Sequence, residues 1–218
     1  MNAGALLHLL QFASPALPIG GYSYSQGLEA ALEAGIVHDA GSARAWIARC
    51  LQEVVAQWDA PLFWRLLKAC EAGDGAAVDL WSERFLASRD TAEFRAETIQ
   101  MGYSLARLLD ELGIGKVEGE VGLPTAFARA VVALGIPHQE ALLAMLFSWA
   151  ENQVLVCVKS VPLGQVAGQR LLLSLRADIE QAARHAQTLS DDGMSNWSPG
   201  LSILSMRHEV QRGRLYRS

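Results

Sequence analysis

The sequence predicts an all-α fold, a single-domain bundle of about ten helices that spans residues 1–218. Residues 90–112 give the clearest periodicity, with side chains of one apolar stripe at steps of three and four: Phe94, Thr98, Met101, Leu105, Leu108 and Leu112. Sustained strand alternation is missing, and the β-branched run Val154–Val158 continues a helical pattern that starts at Ala141. Neither a repeat nor a linker divides the chain.

Capping residues predict where the helices begin. Asp39 can cap a helix that runs through Trp46 and Val55, and Pro61 suits the first turn of the next helix. Asp90 with Glu93 has the pattern of a capping box, and Gly113 is a stop signal. Ser198 followed by Pro199 predicts another N-terminus. Further helices are expected near 75–88, 124–134, 138–160, 164–187 and 199–212, with loops at 113–123 and 188–197.

Composition excludes several classes of protein. The 218 residues are 51% hydrophobic and 19% charged with a net charge of −5, whereas a nucleic-acid-binding protein would carry a basic stripe. The apolar excess indicates a deep core or a surface reserved for partners. Cys50, Cys70 and Cys157 are widely spaced, which favours reduced thiols in the cytoplasm. The most apolar stretch, 142–161, contains Glu151, Asn152, Gln153 and Lys159 and is predicted to be a buried helix, not a membrane span.

Catalytic motifs are absent from the sequence. Gly21–Ser25 approaches a nucleophile elbow but ends in Ser, and Gly115-Lys116 lacks the rest of a phosphate-binding loop. We therefore expect neither an enzyme nor a bound cofactor. The histidines are scattered, so a metal site within one chain is not expected, although two subunits could combine their residues into a transient site. They are His8, His38, His138, His185 and His208.

The segment from Ser14 to Glu29 is unusually elaborate for a helix connection. It contains two prolines and the pair Gly20-Gly21, which restrict the chain to turns and permit close approaches. Tyr22, Ser23, Tyr24 and Ser25 follow. They form either a turn whose tyrosines cap the core or a partner-binding surface.

Two further groups of polar residues have alternative interpretations. Glu151, Asn152, Gln153 and Lys159, with Gln165, Gln169 and Arg170 on the next helix, form either a polar seam between helices or a face lining an internal passage or subunit contact. Lys159 is expected to be buried against a carboxylate or carbonyl. The charge run from Arg89 to Glu97 is expected to be a solvated helix start.

The last residues have the composition of an interaction site. Arg207, Arg212, Arg214 and Arg217 surround Leu215 and Tyr216, a mixture that is enriched at interface hot spots. The alternative is a frayed, solvated tail.

Three segments in order are similar to the urease accessory protein UreF family: SPALPIGGYSYSQGLEAALEAG (14–35), SWAENQVLVCVKSVPLGQVAGQR (148–170) and MRHEVQRGRLYRS (206–218). The resemblance covers nearly the whole chain. It implies a cytoplasmic, homodimeric nickel-insertion chaperone that bridges the accessory protein UreD (also called UreH) and the GTPase UreG, promotes GTP-dependent nickel delivery to apo-urease, and modulates the GTPase.

The resemblance also implies a partner-binding set and a partner-binding tail at about 206–218. The set is Tyr22, Ser23, Tyr24, Ser25, Lys159, Arg170, Arg207, His208, Glu209, Arg214, Leu215 and Tyr216. The tail is expected to be disordered or loosely docked in the free protein and to become ordered when UreD binds. The alternatives are a helical adaptor with no role in nickel and an all-α small-molecule enzyme with a pocket at Tyr22–Ser25.

Overall fold

A computed structural model describes residues 1–161 and 163–218, and this part of the chain is all-α. The helices are α1 Ala3–Phe12, α2 Leu28–Glu33, α3 Ala40–Cys50, a π-helical segment Leu51–Asp59, α4 Ala60–Ala72, α5 Gly75–Ala87, α6 Ala92–Glu111, α7 Leu123–Ala133, α8 His138–Ser160, α9 Gln165–Ser174, α10 Arg176–Thr188 and α11 Pro199–Glu209. Since α3, the π-helical segment and α4 run on without a break, the described residues form ten separate helices. The predicted fold class is confirmed.

Pro61 lies in the first turn of α4, as predicted, although α4 continues the π-helical segment without a break. Proline has no N–H, so the carbonyl of Gln57 loses its helical donor and instead accepts the Ser195 N–H at 3.2 Å. The preceding π-helical turns place Trp58 so that its Nε1 donates to Ser88 Oγ at 2.8 Å. Segments of π-helix recur at functional sites, and this one ties the loop before α11 and the loop before α6 to the bundle.

The predicted helix boundaries hold in part. Asp39 caps α3, and its carboxylate accepts the Ser42 N–H at 2.7 Å. The prediction of Asp90 as the cap of α6 is wrong: Thr91 is the cap, and Asp90 accepts the Ser202 hydroxyl at 2.5 Å. The single helix predicted at 164–187 is two helices. The Leu175 N–H bonds to the Leu172 carbonyl in a tighter turn that ends α9.

The core lies around α4 and α8. Helix α4 packs against α5, α7, α8 and α10, and Phe63 of α4 stacks on Phe127 of α7 with ring centroids 5.5 Å apart. By length and composition α8 could cross a membrane, but 44% of its most apolar window is buried inside the bundle. Central helices of compact bundles have the same composition, and α8 is such a helix, as the sequence predicts.

Helix α11 brings the end of the chain to its beginning. It packs on α2 and α6, and α2 in turn packs on α8. Acidic residues of α2 and α6 therefore meet the end of α11 and the residues that follow it, and residues 14–27, which we call the opening segment, lie beside both helices.

Candidate functional site: a docked C-terminal latch

The C-terminal segment 208–218 is folded onto the body of the protein, and we call it the latch. Its first residue, His208, is fully buried between α2 and α6. The His208 Nε2 lies 2.9 Å from Glu29 Oε2, and its Nδ1 lies 2.7 Å from Glu93 Oε2. Each contact is a hydrogen bond when the ring nitrogen that makes it carries a proton, and both nitrogens can donate at once only in the doubly protonated ring. The imidazole ring thus bridges two acidic side chains.

The Glu29 side chain binds the main chain of the latch. Its carboxylate accepts the Leu215 N–H at 2.7 Å and the Tyr216 N–H at 3.0 Å. Glu29 is only 6% exposed, so water cannot replace these donors. Arg214 adds an ion pair from its Nη1 to Glu93 Oε1 at 2.6 Å. Two buried or nearly buried glutamates thus need the latch for their hydrogen bonds.

Beyond Tyr216 the latch pairs with the opening segment. The Arg217 N–H donates to the Ser23 carbonyl at 2.8 Å, and the Ser25 N–H donates to the Ser218 main-chain oxygen at 2.7 Å. From the other side, Asn152 Nδ2 donates to the Tyr24 carbonyl at 2.8 Å and Gln153 Nε2 to the Ser25 carbonyl at 3.2 Å. Helix α8 and the latch therefore fix the opening segment between them, and these polar residues of α8 form a seam between elements.

Glu97 is a third buried acid at this site. It is 4% exposed and accepts hydrogen bonds from Gln26 Nε2 and the Ser218 hydroxyl. Burial raises the pKa of its carboxyl group to about 7, although the two donors oppose the shift. Glu97 faces an internal cavity of about 260 Å³ whose other walls include Phe94, Met101 and Trp149.

The raised pKa of Glu97 predicts a pH dependence of stability. Its ordinary value is 4.5, and unfolding restores that value. Between 4.5 and about 7 the folded chain holds a proton that the unfolded chain has released, so stability falls as the pH rises through this window. We expect Glu97→Gln to flatten that slope in urea unfolding between about pH 5 and about pH 8. The exposed control Glu83→Gln should keep it, and an unchanged slope in Glu97→Gln would show that another group titrates.

The structure divides the predicted partner-binding residues into two groups. Tyr24, Ser25, His208 and Tyr216 are buried and hold the latch, and the Ser23 carbonyl is a latch acceptor. The exposed ones lie on the surface that the latch forms with the opening segment or on helices: Tyr22, Lys159, Arg214 and Leu215, with Arg207 and Glu209 on α11. Arg170 is exposed on α9, and no described contact joins it to the latch.

Two expectations about this region differ from the structure. Lys159 is exposed, and its Nζ lies 6.0 Å from the ring centroid of Tyr22 and 5.8 Å from that of Tyr216, so the predicted buried lysine with a carboxylate or carbonyl partner is wrong. Lysine binds aromatic faces through their negative quadrupole. The tail was expected to be disordered or loosely docked, whereas it is docked through hydrogen bonds and an ion pair to Glu29, Glu93 and Glu97.

Sequence reasoning missed the glutamates that receive the latch. The interpretation of Arg89–Glu97 as a solvated charge run is wrong: Arg89 pairs with Asp59 at 2.8 Å, and Glu93 and Glu97 bind the latch. The spacing held a signal, since Glu97 stands three residues after Phe94 and four before Met101, within the apolar stripe of α6.

Residues suited to a metal ion do not cluster in the part of the chain that the structure describes. The imidazole of His208 is engaged on both nitrogens, and His185 Nε2 lies 3.1 Å from Gln57 Oε1. The three cysteines are free. The site's chemistry is therefore that of a polar clamp that shapes a surface.

Fold and site together define an all-α protein whose C-terminal segment packs on residues near the start of the chain, and comparison with known proteins gives the family. The UreF family profile matches residues 37–176. The urease accessory protein UreF of Janthinobacterium sp. (strain Marseille) is 66% identical, with all of both chains covered. The protein of the same name from Nitrosospira multiformis is 58% identical, and the alignment covers 98% of each chain. The one from Cupriavidus necator is 49% identical over 98% of this chain and 97% of its own length. The chain belongs to the UreF family of urease accessory proteins, as the resemblance indicated. These names describe accessory proteins, in agreement with the prediction that the chain is not an enzyme.

Proposed function

We propose that the chain acts in the cytoplasm as a homodimeric nickel-insertion chaperone of urease. It bridges UreD (or UreH) and the GTPase UreG and promotes GTP-dependent nickel delivery to apo-urease. Membership of the family supports the link to urease. The main structural support for the bridging role is the surface that the docked latch forms with the opening segment.

That surface has the character of a protein interface. Tyr22 is 59% exposed and Leu215 is 74% exposed, although both stand on segments that the latch contacts hold in place. Lys159 and Arg214 lie beside these apolar groups. Aromatic and arginine side chains on a rigid support give most of the binding energy at protein interfaces, because little conformational entropy is lost when they bind.

The proposed work of the chain is differential binding. A scaffold can couple GTP hydrolysis to nickel release only when it binds one nucleotide or metal state of the GTPase more tightly than the other. The latch surface would bind one of these states more tightly than the other. An arginine such as Arg214 could also act on the GTPase in trans.

Tyr22→Ala tests the surface. Its side chain contacts solvent and the Lys159 ammonium, so its loss should weaken copurification of the UreD and UreG homologues and leave the helical circular dichroism unchanged. Tyr103→Ala is the matched control, because Tyr103 is 58% exposed and lies on α6. Equal recruitment by Tyr22→Ala and the wild type would remove Tyr22 from the interface.

The same coexpression separates this function from a helical adaptor unrelated to nickel. Homologues of UreD and UreG should copurify with the wild-type chain and activate urease in nickel-supplied cells. If neither copurified, the adaptor alternative would replace the proposal.

A further inference from the structure

A second cavity lies at the junction of α4, α5 and α7, on residues that the latch does not use. It measures about 310 Å³, and Cys70, Gly75, Lys116 and Arg129 are among its walls. The chain carries 23 acidic residues and a net charge of −5, yet neither Asp nor Glu lines this cavity. Two basic side chains and no acidic one therefore line the same partly open cavity, where Arg129 is half-buried and Lys116 is exposed.

Arg129 is the least satisfied part of the cavity wall. Its Nε is shut off from solvent and has no hydrogen-bond partner among the described residues. Arg65 and Arg89 each form an ion pair with an aspartate, although the Nε of Arg89 is also unpartnered, whereas no described hydrogen bond or ion pair includes any side-chain nitrogen of Arg129. A buried guanidinium N–H without an acceptor is unfavourable, because it loses its hydration and gains nothing in return. The arrangement is complete only when an acceptor enters the cavity.

Further donors face the same space. Gly115, Lys116 and Val117 line the cavity, and their main-chain N–H groups donate to no acceptor in the described part of the chain; Gly115 and Lys116 are exposed, so these donors are open to solvent or to a ligand. Gly75 begins α5 at the cavity wall, but the N-terminus of that helix is already capped by the Asp74 carboxylate, which accepts the Ala77 N–H at 3.0 Å, so it adds little to the site. The charge of Arg129 acts on the Cys70 thiol, where it opposes the effect of burial, which raises the pKa of that thiol.

We infer that this cavity is a binding site for a small oxyanion, with Arg129 and Lys116 as its cationic ligands. A phosphoryl group suits it best, since its oxygens can accept from a guanidinium fork, an ammonium and main-chain N–H groups at once. The group could be free phosphate or the end of a small phosphomonoester, and the volume admits either.

The test is calorimetric titration of the full chain with inorganic phosphate and, separately, with glycerol phosphate, at constant ionic strength in chloride. Saturable heat from either ligand is expected with the wild type. Arg129→Met should weaken binding about tenfold or more, Lys116→Met should weaken it less, and Arg107→Met, a surface control whose arginine pairs with Glu111, should leave it unchanged.

The outcomes decide both the site and its ligand. Heat from phosphate supports a site for the free ion, and heat from glycerol phosphate alone supports a phosphomonoester site. Because Arg129→Met removes an unpartnered cation, its urea midpoint without phosphate should be no lower than that of the wild type, while phosphate should raise only the wild-type midpoint. Lack of saturable heat with both ligands, or equal heat with Arg129→Met, would overturn the proposal.

Discussion

Replacement of Arg214 by alanine is expected to abolish recruitment of the UreG homologue and urease activation while the fold persists. Arg214 pairs with Glu93 at 2.6 Å and precedes the exposed Leu215. The ion pair therefore holds this part of the latch in position on α6. Loss of a hot-spot arginine weakens binding by about 2 kcal/mol or more, roughly thirtyfold. Copurification with UreD and UreG homologues measures the recruitment, and urease activity in nickel-supplied cells measures activation.

Arg212→Ala is the matched control for this prediction. Arg212 is an exposed arginine of the same segment and joins no described ion pair, so its removal changes the net charge equally without loosening the latch. Deletion of 214–218 should reproduce the loss seen with Arg214→Ala. Recruitment that survives both the substitution and the deletion would mean that the latch is not part of the interface.

Glu29→Gln is expected to lower the free energy of unfolding by about 4 kcal/mol, since it breaks a buried ionic cluster. The carboxylate accepts from His208, Leu215 and Tyr216 at once. An amide offers one oxygen, and its NH₂ group would face N–H donors. His208 would then keep only Glu93 as a carboxylate partner. Urea unfolding measures the change.

Glu33→Gln is the control on the same helix. Glu33 is exposed at the end of α2, and substitutions at such positions change stability by about 0.5 kcal/mol or less. If Glu29→Gln changed stability as little as Glu33→Gln does, the carboxylate would not be an anchor of the latch.

The fold was predictable from the sequence because it depends on local signals. The stripe from Phe94 to Leu112 and the cap at Asp39 fix helices through spacing and single side chains. The break at Leu175 was not predictable in this way, since a helical pattern continues through it and only hydrogen bonds within the turn end α9.

The exposed residues of the candidate site were predictable from the sequence, but the glutamates that hold the latch in place were not. Tyr22 and the segment from Arg214 to Tyr216 stood out by composition, because interface side chains are unusual on a solvated tail. Glu29 and Glu93 did not, since a glutamate near a helix start is ordinary on a surface. Their role depends on the path of α11, which brings His208 into contact with Glu29, 179 residues away, and with Glu93, 115 residues away. Sequence spacing does not encode such a contact.

Hydrogen exchange of the main-chain amides of residues 215–217 in the free protein tests the docked latch most directly. The Leu215, Tyr216 and Arg217 N–H groups donate to Glu29 and to the Ser23 carbonyl, so they should exchange slowly, with protection that Glu29→Gln reduces. Exchange of these three amides at the rate of an unstructured peptide, with no change in Glu29→Gln, would contradict the claim that the latch is docked in the free protein.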